Sequence, residues 1–241
     1  VLGPRHTVAI IQSNYLPWKG YFDILHDVDT FIFYDDVQYT HRDWRNRNRV
    51  KTPTGPVWLT VPVGSSTDRL ICEARIEDDA WARKHWETLR HQYARTPHFE
   101  RYAPFLRDVY LARKWTHLSE LNQFLVRHIA RECLGLQVRF RDSREWTLAG
   151  AKQERILDLL KQAGATHYVS GPAARSYLRQ EDFDAAGIQL TYKDYGGYPE
   201  YPQVHPPFEH AVTVLDVLFH LGPEAPEAIW GWRKRAPGAD R

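Results

Sequence analysis

Hydrophobic and polar positions follow two different periods along this chain, and the changes of period divide it into elements. Residues 7–12 (TVAIIQ) are a short β-branched apolar run closed by polar and turn residues, the pattern of a strand buried on both faces. After the turn SNYLPWKG, residues 21–28 carry helical spacing, with Phe22, Leu25 and His26 on one side. They lead to a second strand over 30–34 that ends at Asp35 and Asp36. Such a strand–helix–strand opening predicts parallel pairing through a right-handed crossover. Residues 46–51 and 57–63 alternate around the turn TPTGP and predict a hairpin, with a further short strand expected over 71–76. Helical spacing fills 80–94, 99–112 and 118–134, the last stopped by Gly135. Strands over 137–141, 167–170 and 188–192, with a helix over 152–163, return to the opening theme. The expectation is one α/β domain over residues 1–241, an open and mostly parallel sheet with a β-hairpin and a helical insertion in the middle of the chain, about 42–134, and a polar, frayed tail after 232.

Composition narrows this picture without redirecting it. At 241 residues with 43% hydrophobic and 26% charged residues, the chain can bury a substantial core. Its apolar runs fall far short of the roughly 20 residues of a membrane span, and its first residues lack the apolar centre of a secretory signal. Cys72 and Cys133 are far apart and make no C-x-x-C or metal spacing, so no disulfide framework is expected. A cytoplasmic protein with no membrane span follows as the expectation. A net charge of +2 gives no general attraction to nucleic acid, so no nucleic-acid partner is expected and any cationic function is local.

Ligands of an open, Rossmann-like sheet bind beyond the carboxyl ends of its strands, which brings forward the loop after the first strand. There Gln12, Asn14, Tyr15, Trp18 and Lys19 are candidate binding residues, with backbone amides at the helix start suited to an anion. The alternative for this loop is a tight turn shaped by Pro17 and Gly20. It holds neither G-x-G-x-x-G nor G-x-x-x-x-G-K-[ST]; a faint likeness to the H-x-G-H turn of nucleotidylyltransferases has Trp18 and Tyr21 where that turn has its histidines. Asp35 and Asp36, at a strand's carboxyl end, are candidate general bases. No metal-ligand spacing accompanies them, so no bound metal is expected, and the pair fits magnesium better than zinc.

The segment DDVQYTHRDWRNRNRVK is the densest in candidate chemistry. If extended, it turns Arg45, Arg47, Arg49 and Lys51 to one face and Asn46, Asn48 and Val50 to the other. Arginine forks bind phosphate or carboxylate bidentately, so Arg42, Arg45, Arg47 and Arg49, with Tyr39, Trp44 and Asn46, are candidates for binding a pyrophosphate, a phosphopantetheine, a sugar nucleotide or a carrier-protein surface. A solvated strand face is the competing reading. His85 lies four residues from Trp81 and from Leu89, on the aromatic side of its helix, where it is either a buried structural histidine or a general base. Ser170 and Gly171, before Pro172, form a second strand-end anion candidate. Tyr198 belongs to a tyrosine-rich loop that either lids a ligand or packs on itself. Neither cysteine has an adjacent activating group, and no G-x-S-x-G is present.

The stretches IIQSNYLPWKGYFD, FYDDVQYTHRDWRNRNRVKTPTGPVWLTVPV, KHWETLRHQY, HYVSGPAARSYL and LDVLFHLGP, in this order from Ile10 to Pro223, resemble the WbqC-like protein family. The resemblance implies a bacterial protein of surface-polysaccharide (O-antigen) or natural-product biosynthesis. Some family members are proposed to attach an aminoacyl group, glycine among them, to an amino sugar. The function expected is therefore an acyl/aminoacyltransferase that forms an amide bond. Its donor would be a thioester, on coenzyme A or on carrier-protein phosphopantetheine, and its acceptor a small-molecule amine or amino sugar; no tightly bound cofactor is expected, and an acyl carrier protein is a further partner. With no activated cysteine, direct attack by the amine is expected, the proton going to His85 or Asp36. Two alternatives stand beside it: a nucleotide-dependent transferase, and a non-catalytic module binding nucleic acid or a carrier protein.

Overall fold

A computed structural model describes residues 4–235; residues 236–241, most of the polar tail expected to fray, lie outside the described residues. The chain opens with β1 (Thr7–Ile11), α1 (Lys19–His26) and β2 (Thr30–Phe33). A hairpin of β3 (Arg47–Thr52) and β4 (Gly55–Thr60) follows, then α2 (Ala80–Tyr93), α3 (Phe99–Arg107) and α4 (Leu118–His128). The second half holds β5 (Arg139–Asp142), α5 (Lys152–Gln162), β6 (His167–Ser170), α6 (Gln180–Ala185), β7 (Gln189–Tyr192), α7 (Val214–Leu221) and α8 (Ala225–Ile229). The expected α/β architecture is present. Five strands pair in parallel in the order β5-β2-β1-β6-β7, and the β3–β4 hairpin forms a separate antiparallel sheet.

Alternate residues of each buried strand feed two cores, which is why the strands read as unbroken apolar runs. Ala9, Phe31, Phe33 and Phe140 pack toward α1, the helical insertion, α7 and α8. Val8, Ile10, Ile32 and Tyr168 pack toward α5 and α6, against Ile156, Leu159, Leu160 and Phe183. Because β1 joins β2 on one side and β6 on the other, consecutive crossovers diverge there. That reversal of strand order beside β1 is where an open α/β sheet leaves a crevice at its carboxyl ends.

Several boundaries differ from the periodic reading. The expected strand over 71–76 is instead one 3-10 turn, Ile71–Glu73, whose Leu70 N–H donates to the Glu73 carboxylate at 2.8 Å. Cys72 N–H bonds the Asp35 carbonyl and Leu118 N–H bonds the Ala74 carbonyl, so two different elements use up the backbone groups that a strand partner would need. The helices expected over 99–112 and 118–134 keep those ends but finish in π-helical turns, Asp108–Ala112 and Ile129–Cys133. The isolated bridge Trp18–Thr213 and the bonds Thr213 N–H to Arg49 carbonyl and Val214 N–H to Pro17 carbonyl draw three distant stretches together at the carboxyl end of β1.

Candidate functional site

Those three stretches enclose a cleft. Its inner hollow, about 340 Å³, is lined by Asn14, Pro17, Trp18, Trp44, Asn48 and Ala211. An outer hollow of about 390 Å³ shares Trp44 and adds Arg42, Asp43, Arg47, Arg49 and Trp58. The β1–α1 loop forming one wall is held in an unusual shape: Leu16, fully buried, sits at φ 43, a conformation costly for a branched residue. Asn48 compensates by donating from Nδ2 to the Leu16 carbonyl at 2.8 Å. Tyr15 N–H bonds the Trp44 carbonyl at 3.1 Å, Arg45 donates to Asn14 Oδ1, and Asn122 on α4 braces the Arg45 carbonyl at 2.8 Å. At the loop's end the Trp18 indole lies over the first turn of α1, where a Cβ on residue 20 would come within 2.2 Å of it; only Gly20 leaves the room.

The hairpin supplies the charged wall. Arg49 pairs directly across from Trp58, and Arg47 from Thr60, so the arginines and the indole share one face of the ladder. The Arg47 guanidinium lies 4.1 Å and that of Arg49 5.6 Å from the Trp58 ring centroid. Both Nε atoms are buried without a hydrogen-bond partner, although Arg47 Nη2 reaches the Arg42 carbonyl at 2.5 Å. Arg45 is also tied to Asp43 at 3.6 Å. Burial raises the Asp43 pKa, but Arg45 and the bonds from Thr40 and Trp44 outweigh it and hold the carboxyl below the ordinary range. The cleft therefore offers two under-used cationic forks between two exposed tryptophans, an arrangement suited to a phosphate joined to a flat ring.

The family model of the WbqC-like proteins matches residues 12–228, which span every wall of this cleft. The chain belongs to the WbqC-like protein family. It is 48% identical to the "Uncharacterized protein Rv1507c" of Mycobacterium tuberculosis (strain ATCC 25618 / H37Rv) over 224 residues, 92% of this chain and 96% of that relative. No solved structure matches. Among the described residues no helix is long and apolar enough to cross a membrane.

Of the residues singled out in the sequence of this WbqC-like protein, Asn14, Trp18, Arg42, Trp44, Arg47 and Arg49 line the cleft. The single cationic face is corrected: β3 begins at Arg47, Arg45 turns away to Asn14, and Lys51 is buried with its ammonium on the Pro207 carbonyl. Asn46 points inward, its Nδ2 on the Val61 carbonyl at 3.0 Å, and Tyr39 is fully buried beneath the Arg69 guanidinium. Gln12 stays half-buried at the end of β1, while Tyr15 is sealed into the core. Ser170 and Gly171 end β6 outside the cleft; Tyr195 bridges the two, with its ring 5.1 Å from Trp18 and its hydroxyl beside Gly171. Tyr198 does not lid a ligand, because its hydroxyl donates to the buried Asp23 at 2.5 Å and its ring packs inward.

All three candidate bases are engaged elsewhere. Asp35 is fully buried and accepts from Ser13 N–H at 2.7 Å, Gln123 Nε2 at 3.0 Å and Ser119 Oγ at 2.5 Å, which fastens the ends of β1 and β2 to α4. Asp36 is ion-paired to Arg155 at 2.5 Å. His85 is sealed in, accepting at Nδ1 from Tyr15 Oη at 2.8 Å, which leaves Tyr15 Oη to accept from Tyr110 Oη at 2.6 Å, while the His85 ring also bonds the Thr60 backbone. Sequence reasoning missed Trp58, Asn48 and Ala211. Alternation across the hairpin was a usable signal for Trp58, whereas nothing local points to Ala211.

Burial, then Lys84, pushes the His85 pKa down to about 3 against the Thr60 bond. The unfolded histidine, near 6.5, binds its proton first, so the stability from keeping it neutral is complete above about pH 6.5 and is lost as pH falls toward 3. The expected slope for this one group is about 1.4 kcal/mol per pH unit. His128 and His210, also lowered, add to it with the same sign. Urea unfolding of His85→Gln between pH 6 and 4 is expected to lose roughly 1 kcal/mol per unit of that slope; an unchanged slope contradicts the assignment.

A larger groove of about 820 Å³ crosses β6 and β7 beside the end of α1. Arg5 lines it and donates to Thr7 Oγ1 at 3.3 Å, while its other cations, Lys193 and Arg233, are committed to Asp23, at 2.7 Å each. Asp23, His26 and Asp27 lie close enough to share a metal ion, but these two cations already neutralise the carboxylates.

Proposed function

We propose that this protein is a transferase that forms an amide, passing an acyl or aminoacyl group from a thioester donor to an amine such as an amino sugar in surface-polysaccharide or natural-product biosynthesis. The observation that carries the reading is the stack of Arg47 and Arg49 on Trp58 at the mouth of a cleft whose depth is lined by Trp44, Trp18 and Asn14. A coenzyme A or carrier-linked phosphopantetheine donor presents anionic phosphate to such forks and lays its thin pantetheine arm along aromatic walls. The reacting carbonyl then lies in the inner hollow, away from bulk water. Neither cysteine is suited to a covalent acyl intermediate, since burial raises the Cys72 thiol and pushes Cys133 up to about 12. Attack by the amine itself is the simpler course.

The strand order favours a second reading. Numbered among the parallel strands alone, it runs third, second, first, fourth, fifth, the order of a doubly wound nucleotide-binding sheet short of its sixth strand, and this supports a nucleotide-dependent transferase. Thermal unfolding with coenzyme A, pantetheine, or ATP with magnesium separates the two. Coenzyme A at about a hundred times its Kd is expected to raise the melting temperature by roughly 5 °C or more. Stabilisation by ATP with magnesium and not by coenzyme A or pantetheine overturns the thioester reading.

A further inference from the structure

Lys19 is the first residue of α1 and only 2% exposed, yet no carboxylate lies within ion-pairing distance of it among the described residues. Its ammonium nitrogen is 2.9 Å from His210 Nδ1 and lies over the rings of Tyr198, Tyr201 and Phe208, at 4.9, 5.4 and 5.6 Å from their centroids. Lys19 directly follows Trp18, and His210 directly precedes Ala211; Trp18 and Ala211 both line the inner hollow, and the Trp18–Thr213 bridge fixes the two walls together. The pair therefore flanks the inner hollow, one residue along the chain from its lining on each wall. His210 is half-buried, and its Nε2 has no hydrogen-bond partner among the described residues.

We propose that His210 accepts the proton of the attacking amine at Nε2, with Lys19 as the positioning residue that sets the tautomer of its ring. The inference rests on the acyl-transfer reading and deepens it. A protonated Lys19 donates to Nδ1 and forces the hydrogen onto Nε2, which then has nothing to accept with. A neutral Lys19 accepts from Nδ1–H and leaves the Nε2 lone pair free. In the reactive form the amine nitrogen bonds to the thioester carbonyl carbon as its proton passes to Nε2, and the Nδ1 proton passes to Lys19. The carbon–sulfur bond then breaks with its electron pair on sulfur. The proton returns through the same pair to the thiolate, giving amide and free thiol with no other reactant.

The electrostatics leave both forms of Lys19 accessible. Burial lowers its pKa to about 8, with Asp216 opposing. The positive end of α1 acts with burial, and the three rings act against it. Asp216 itself is shared among Tyr93, Tyr201 and Gln203, which keeps it from pairing with Lys19. Burial and then Lys19 lower the His210 pKa, while Glu200 and Glu209 raise it.

Amide formation from acetyl-coenzyme A and a panel of amino sugars tests the proposal on the full chain. Wild-type kcat is expected to rise with pH through a limb near 8, where Lys19 loses its proton. His210→Gln is expected to lose about 100-fold or more in kcat at unchanged KM for the thioester, and added imidazole to restore part of the activity of His210→Gly. Lys19→Met is expected to keep turning over with its limb displaced toward about 6.5, the range of an isolated histidine. Activity of His210→Gln within about threefold of wild type, well under the loss a general base accounts for, or an unmoved limb in Lys19→Met, overturns the assignment while leaving acyl transfer standing. A wild-type protein that forms no amide overturns the transfer reading and this inference together.

Discussion

Replacing Asp23 by alanine is expected to destabilise the fold by about 3–5 kcal/mol, the largest effect of any single substitution considered. Asp23 is fully buried on α1 and receives Lys193 at 2.7 Å, Arg233 at 2.8 Å and the Tyr198 hydroxyl at 2.5 Å. Its loss leaves a buried ammonium with the outer Asp27 as its one carboxylate among the described residues, beside the residue-23 carbonyl at 3.2 Å, and frees a phenol whose pKa burial and Asp23 together hold high. The cost comes from stranding the partners and not from the net worth of the pair, so the double variant Asp23→Leu with Lys193→Met is expected to recover most of the loss. Urea unfolding of the three proteins decides it, and a single-variant loss under about 1 kcal/mol, the scale of a surface ion pair, contradicts the account.

The second large effect concerns binding. Replacing both Arg47 and Arg49 by alanine is expected to weaken coenzyme A by about 100-fold or more, since each charge-assisted contact to phosphate contributes about 1.5–3 kcal/mol. Neither guanidinium has an acidic partner within ion-pairing distance among the described residues, and both are half-buried, so the fold is expected to tolerate the change better than the site does. Pantetheine, which lacks the nucleotide phosphates, is expected to bind the variant and wild type alike. Calorimetric titration in which coenzyme A binds the double variant within about threefold of wild type, far less than either contact is worth, removes the arginine wall from the donor site.

The sequence discloses the scaffold more fully than the site. β1, β2 and β6 emerge within a residue of their expected ends because β-branched runs between turn residues have few other ways to fold. Helix α2 is legible from Trp81, His85, Leu89 and Tyr93, all of which it buries. Helix α7 is not, since seven of its eight residues are buried, the polar Asp216 and His220 among them, so no solvent-facing polar stripe marks it. Alternation correctly groups Arg47 with Arg49, but it carries no information about which segments settle on that face from elsewhere in the chain. Lys51 is covered by the loop at Pro207, and Arg49 is bonded through its carbonyl to Thr213. The same limit hid the pairing of Lys19 with His210, whose 191-residue separation no local pattern spans. Asp35 and His85 misled for a related reason: residue type and strand or helix position suggest chemistry, while burial with every polar atom satisfied marks a structural role.

Release of free thiol from acetyl-coenzyme A, followed with and without an amino-sugar acceptor and matched to amide by mass spectrometry, separates acyl transfer from nucleotide chemistry. Thiol release is expected to depend on the amine, to equal the amide formed, and to collapse in the Arg47→Ala, Arg49→Ala double variant. Intact thioester under these conditions, with pyrophosphate released from ATP and magnesium in its place, contradicts acyl transfer.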